Sequence, residues 1–184
     1  MVMADVRTTI MFLRNHEIIH LDSDFFNVLT DGTQAYLTDF GLALDKQFAL
    51  TAAEQQFYRQ NSHYDYGQLL WSSAFQLYVM YCALPETTRE TLRTQLGVDD
   101  TIEFEELLPV LLDHIDALVI NGSIKLDRHY VASLRKYRSI IDLMHNFYTT
   151  MRRNNKKDTQ FRNARLQQLL KETNFTSDTF SATS

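Results

Sequence analysis

With one cysteine, Cys82, in 184 residues, an internal disulfide is excluded. The neighbours Tyr78, Val79, Met80 and Leu84 predict that this thiol is buried and structural. Two prolines and five glycines leave little material for tight turns, so long helices are expected to dominate. No apolar run approaches the roughly 20 residues that a bilayer-spanning helix needs. The start, Met1 to Asp5, lacks the basic and apolar stretches of a secretory signal, and the expected compartment is the cytoplasm. The six histidines fall at no metal-ligand spacing, so a zinc site is not expected.

What is present is an ordinary globular composition, 45% hydrophobic and 22% charged, long enough for one domain with its own core. The net charge of -5 hides an asymmetry. Residues 1 to 130 carry 8 Lys+Arg against 19 Asp+Glu, while residues 131 to 184 carry 10 against 4. The basic part gathers at Arg152, Arg153, Lys156 and Lys157 with no aromatic residues interleaved. That pattern reads as a solvated helix end and gives no support to a nucleic-acid partner.

The periodicity predicts an amphipathic helix over 5–16, with Val6, Ile10 and Leu13 on one face, and a short hairpin around Asp31-Gly32. Thr51 to Glu54 reads as a capping box for a helix through Gln60. Residues 64–83 form a helix apolar on nearly every side, which belongs at the centre of a bundle. Further helices are expected from Pro85 to Leu96, where Gly97 closes the turn, and over 101–119, 127–151 and 158–172. The Ser/Thr-rich segment 173–184 is expected to be a disordered tail after a domain spanning 1–172.

The chemistry-bearing residues lie together near the start of the chain. His20-Leu21-Asp22-Ser23-Asp24-Phe25-Phe26-Asn27 is followed, after the hairpin, by Asp39-Phe40-Gly41. An acid, an amide and a second acid are the groups that phosphoryl transfer to a hydroxyl requires. These stretches resemble the catalytic loop and the magnesium-binding turn of the protein kinase family, H-R-D-L-x-x-x-N and D-F-G, with six specified residues in register. The resemblance implies a mainly α fold, the helical C-terminal lobe of a kinase, in which a helical bundle and a short β-hairpin carry the loop and turn.

It further implies that Asp22 accepts the proton of the attacking hydroxyl. Asn27 and Asp39 would hold Mg2+ against the phosphates of ATP. His20, Phe40 and Gly41 would be scaffolding, and Asp65, at the start of the central helix, would accept hydrogen bonds from the loop backbone. Leu21 stands where the family has arginine, so control through a phosphorylated activation segment is not expected. Asp24 stands where a lysine usually faces the transferred phosphate, and no Ala-Pro-Glu follows Asp39. Only 19 residues precede His20 and no G-x-G-x-x-G occurs, so the resemblance reaches the helical lobe alone.

Two accounts follow. The chain is part of a working phosphotransferase acting on a protein or small-molecule hydroxyl, truncated or completed by a second chain, or it is a catalytically silent kinase-like binding module. Either way Phe25, Phe26 and Leu29 are expected near solvent, to be covered by a partner chain or by self-association.

Overall fold

The computed structural model describes residues 2–120, 122, 124–154 and 159–176. Within them the chain is mainly helical. Helix α1 (Val2–Asn15) leads into strand β1 (Ile18–Ile19), then the hairpin β2 (Val28–Thr30) and β3 (Ala35–Leu37), and β4 (Leu44–Asp45). Eight helices follow: α2 (Ala52–Asn61), α3 (Tyr64–Cys82), α4 (Glu86–Leu96), α5 (Phe104–Asp113), α6 (Ile115–Ile120), α7 (Arg128–Lys136), α8 (Arg138–Arg153) and α9 (Asn163–Glu172). None is long and apolar enough to cross a membrane.

Helix α3 is the axis of the bundle, with α1, α5, α8 and α9 packed around it. Leu69, Leu70, Ala74 and Leu77 are fully buried against Val6 and Ile10 of α1, Leu108 and Leu111 of α5, Ile140, Ile141 and Met144 of α8, and Leu166 of α9. Each large aliphatic side chain removed from water in this way contributes about 1.5–3 kcal/mol. Gly67 is what lets α8 and α9 come so close. A Cβ there would lie 2.6 Å from the Met144 sulfur and 3.0 Å from a Leu166 methyl.

Two small antiparallel sheets hold the N-terminal part. In the hairpin, Val28 pairs with Leu37, Leu29 with Tyr36 and Thr30 with Ala35. Strand alternation then turns Ala35 and Leu37 towards α1 and leaves Leu29 and Tyr36 outside. Asp31 locks the turn by accepting from Thr33 and Gln34, and these bonds hold its carboxyl well below the usual carboxylate range. The second sheet pairs Ile18 with Asp45 and Ile19 with Leu44, closing the segment between them into one bracketed loop system.

Several expectations are corrected. The stretch 101–119 is two helices, because at His114 the chain turns and the imidazole Nδ1 bonds back to the Val110 carbonyl. The stretch 127–151 also divides, at Tyr137, whose buried ring meets Phe175 at 4.9 Å. Phe175 is itself buried, so the expected tail supplies a residue of the core, while Asn174 beside it is exposed. Residues 177–184 lie outside the described residues. The last helix starts at Asn163 and not near 158. Cys82 is exposed because it lies with Val79 and Met80 on the outward side of the last turns of α3, whose Leu77 and Tyr81 stay buried.

Other features match the sequence reading. Thr51 and Glu54 form the capping box of α2, and Gly97 ends α4 in the left-handed region at φ 67°.

Because a methyl group at position 67 has no room, Gly67→Ala is expected to lower stability by about 1–3 kcal/mol, measured by urea unfolding. His63, buried at the N-cap of α3, is depressed to about 4 by desolvation and by the charge of Arg14. Its folded value lies below the ordinary one near 6.5, so the stability tied to the neutral ring is complete above pH 6.5 and lost as pH falls towards 4. Thermal melts between pH 7 and 4.5 should show this decline, reduced in His63→Phe.

Candidate functional site

The geometry of the loop 20–27 starts from one buried carboxylate. Asp65, in the first turn of α3, accepts the backbone N–H of His20 and of Leu21, both at 2.8 Å. Burial pushes the Asp65 carboxyl up, and these two hydrogen bonds pull it back in part. The same face of α3 supplies two more anchors, one and two turns on. Gln68 Oε1 accepts from Ser23 N at 2.8 Å, and Ser72 Oγ accepts from Phe25 N at 2.9 Å. Ser23 Oγ in turn donates to the Asp65 carbonyl.

Held this way, Leu21 sits at φ 66°, a left-handed conformation that costs a non-glycine residue about 1–2 kcal/mol. The two hydrogen bonds that Asp65 accepts offset that strain.

His20 is fully buried and connects the loop to the hairpin. Its Nε2 lies 3.0 Å from the Thr38 carbonyl, which can only accept, so Nε2 carries the proton. Its Nδ1 is then free to accept the Asp22 N–H at 3.2 Å. The imidazole edge also meets the Phe40 ring at 4.6 Å.

Asn27 completes the link. Its Nδ2 donates to the Asp22 carbonyl at 2.8 Å, while its own carbonyl accepts Thr38 N at 2.8 Å and Thr38 Oγ1 at 3.0 Å. Asp22 and Asn27 are thus joined directly, and Asn27 is joined to the residue preceding Asp39. The amide nitrogen is engaged, which leaves Asn27 Oδ1 as the oxygen available to an incoming group.

Two carboxylates cap 3-10 turns. Asp24 accepts Phe26 N at 2.8 Å at the head of the turn Phe25–Asn27. Asp39, at φ 60° and ψ 70°, accepts Gly41 N at 3.2 Å at the head of Phe40–Leu42. The left-handed backbone of Asp39 is tolerated because a short acid side chain bonds its own backbone. Asp24 is half-buried, and desolvation together with the nearby Asp22 charge raises its carboxyl above the usual range. Its position is thus accounted for by capping the turn that carries Asn27. Asp39 is exposed, and Asp22 is half-buried with Oδ1 3.4 Å from Gln68 Nε2.

The donor set, two carboxylates and one amide oxygen, consists of hard oxygens of the kind Mg2+ prefers. Among the described residues no group of three or more His, Cys, Asp or Glu could by itself hold a metal ion. Mg2+ commonly takes one or two protein carboxylates and completes its shell with water and phosphate oxygens. Asp39 and Asn27 contribute one carboxylate and one amide oxygen of that kind.

Gln68, Ser72 and Thr38 escaped the sequence reading. Asp65, Gln68 and Ser72 stand at i, i+3 and i+7 in a largely apolar helix, a polar stripe that marks a bound partner on that face. No family model matches the chain, and no curated protein or solved structure matches it either.

Asp65→Asn exchanges an anionic acceptor for an amide whose NH2 faces a backbone N–H. We expect a loss of about 2–4 kcal/mol in unfolding stability and faster hydrogen exchange at His20, Leu21 and Ser23. Unchanged exchange at those amides would remove the clamp from the explanation.

Proposed function

We propose that this chain is the helical half of a kinase-like phosphotransferase, working on a hydroxyl-bearing protein or small molecule with ATP and Mg2+. The observation that carries the reading is the hydrogen-bonded run from Asp22 through Asn27 to Thr38. It joins the stretch that holds Asp22 and Asn27 to the residue before Asp39, on the Asp65 end of α3.

The roles follow from where each group is held. Asp22, fixed through its backbone by His20 and Asn27, is the acceptor for the substrate hydroxyl proton. Asn27, oriented by its amide nitrogen, and exposed Asp39 are the residues that would hold the cation, one through its amide oxygen and the other through its carboxylate. When bound, the magnesium ions would neutralise phosphate charge that three aspartates would otherwise repel. His20 and Phe40 keep loop and turn in register through their edge contact.

The loop cluster is edged by side chains that water covers poorly. Phe26, Leu29, Tyr36, Phe40 and Leu42 are each 48–77% exposed. A nucleotide-covering partner segment with an apolar docking edge fits this surface. The same apolar surface favours a second reading, a silent kinase-like module that uses the face for docking and has no cation site.

Paramagnetic Mn2+ with ATP separates the two. The expected result is selective broadening of the amide resonances of residues 22, 27 and 39, lost in Asp39→Asn. Broadening spread evenly over the acidic surface would favour the silent module. In an assay where the chain transfers phosphate from ATP, Asp22→Ala should reduce turnover by about 10²-fold or more while the Mn2+ effect persists.

A further inference from the structure

Gln68 lies one turn beyond Asp65 on α3 and is buried, with Leu69 and Leu70 fully buried beside it in the bundle. A buried carboxamide is costly unless both of its ends are answered. Here the two ends meet consecutive residues of the loop. Oε1 accepts Ser23 N–H at 2.8 Å, and Nε2 lies 3.4 Å from Asp22 Oδ1.

The first contact fixes the sense of the second. A backbone N–H only donates, so the amide oxygen must face Ser23 and the NH2 group is turned to Asp22. A carboxylate only accepts, so donor and acceptor match. At 3.4 Å the bond is long, as catalytic hydrogen bonds commonly are before substrate arrives.

The two acids of the loop differ in how they are held. Asp24 uses Oδ1 for Phe26 N–H, a bond within its own turn. Asp22 has its backbone fixed by His20 and Asn27, and among the described residues its carboxylate meets no donor other than Gln68. The direction of that carboxylate is therefore governed from α3, a helix that the bundle keeps rigid. With Oδ1 engaged, Oδ2 is the oxygen left for a substrate. Ser72, the next anchor on the same face, touches only the backbone N–H of Phe25.

We infer that Gln68 is a positioning residue for Asp22, holding Oδ1 so that Oδ2 is presented to the substrate hydroxyl. What Asp22 does rests on the phosphotransferase reading, whereas the hold on its carboxylate does not. In the transfer, the hydroxyl proton passes to Oδ2 as the hydroxyl oxygen bonds to the terminal phosphorus of ATP and the bond from that phosphorus to the departing ADP oxygen breaks.

Three-bond Hα–Hβ couplings of Asp22, measured by NMR on the full chain, read the rotamer about Cα–Cβ. Wild type should show one rotamer. Gln68→Met, uncharged and of similar length, removes the donor and should average the couplings. Ser72→Ala loosens the loop at Phe25 without touching Asp22 and should leave its single rotamer in place. Thermal melts check that both variants fold. Where the chain transfers phosphate from ATP, Gln68→Met should lower kcat at least about tenfold with KM for ATP changed less than about twofold, because only the proton acceptor is displaced. Averaged couplings in wild type, a single Asp22 rotamer or undiminished kcat in Gln68→Met, or averaging in Ser72→Ala equal to that in Gln68→Met overturns the inference. Couplings that behave as expected in a wild-type chain without transfer activity count against the phosphotransferase reading and leave the hold of Gln68 on Asp22 standing.

Discussion

The Asp65 carboxylate and the two backbone N–H groups it accepts, from His20 and Leu21, are the interaction on which the rest of the N-terminal architecture depends. A buried carboxylate is costly unless every lone pair it presents is answered, and a loop with a left-handed leucine is costly unless something outside the loop holds it. Here each cost is met by the other. With the start of the loop pinned, Ser23 and Phe25 fall onto Gln68 and Ser72, and the loop follows α3 residue by residue. The bundle behind α3 makes this possible, because only a helix fixed on its other faces offers a rigid row of acceptors.

The hairpin is positioned by a relay. His20 touches Thr38 and Phe40, and Asn27 touches Asp22 and Thr38, so two side chains with defined hydrogen-bond polarity determine where Asp39 emerges. The tautomer of His20 is set by the Thr38 carbonyl, which in turn allows Nδ1 to take the Asp22 amide. Pro109 and His145 repeat this logic elsewhere in the molecule. A backbone carbonyl left vacant by proline is claimed by an imidazole from another helix.

Much of this was legible beforehand. The apolar run of α3, the Thr51 to Glu54 box, the Gly97 stop and the Asp-Gly hairpin are local signals whose physics involves a few neighbouring residues. The breaks at His114 and Tyr137 were not legible, because apolar periodicity continues across both and each break is settled by contacts out of local range or by a side chain's choice of carbonyl. Cys82 was misplaced for a related reason. Apolar neighbours do not fix which side of the helix is covered, and in the last turns of α3 Leu77 and Tyr81 face the bundle while Val79, Met80 and Cys82 face outward.

By itself the order of residues determined which groups are available: an acid at 22, an amide at 27, an acid at 39, and a helix able to stand at the centre of a bundle. These follow from spacing and side-chain chemistry, which are properties of short stretches. Only the tertiary structure decided that Gln68, Ser72 and Thr38 join the loop. Each of these rests on a hydrogen bond formed between residues made neighbours by packing alone, and no pattern within either segment encodes the orientation in which they meet.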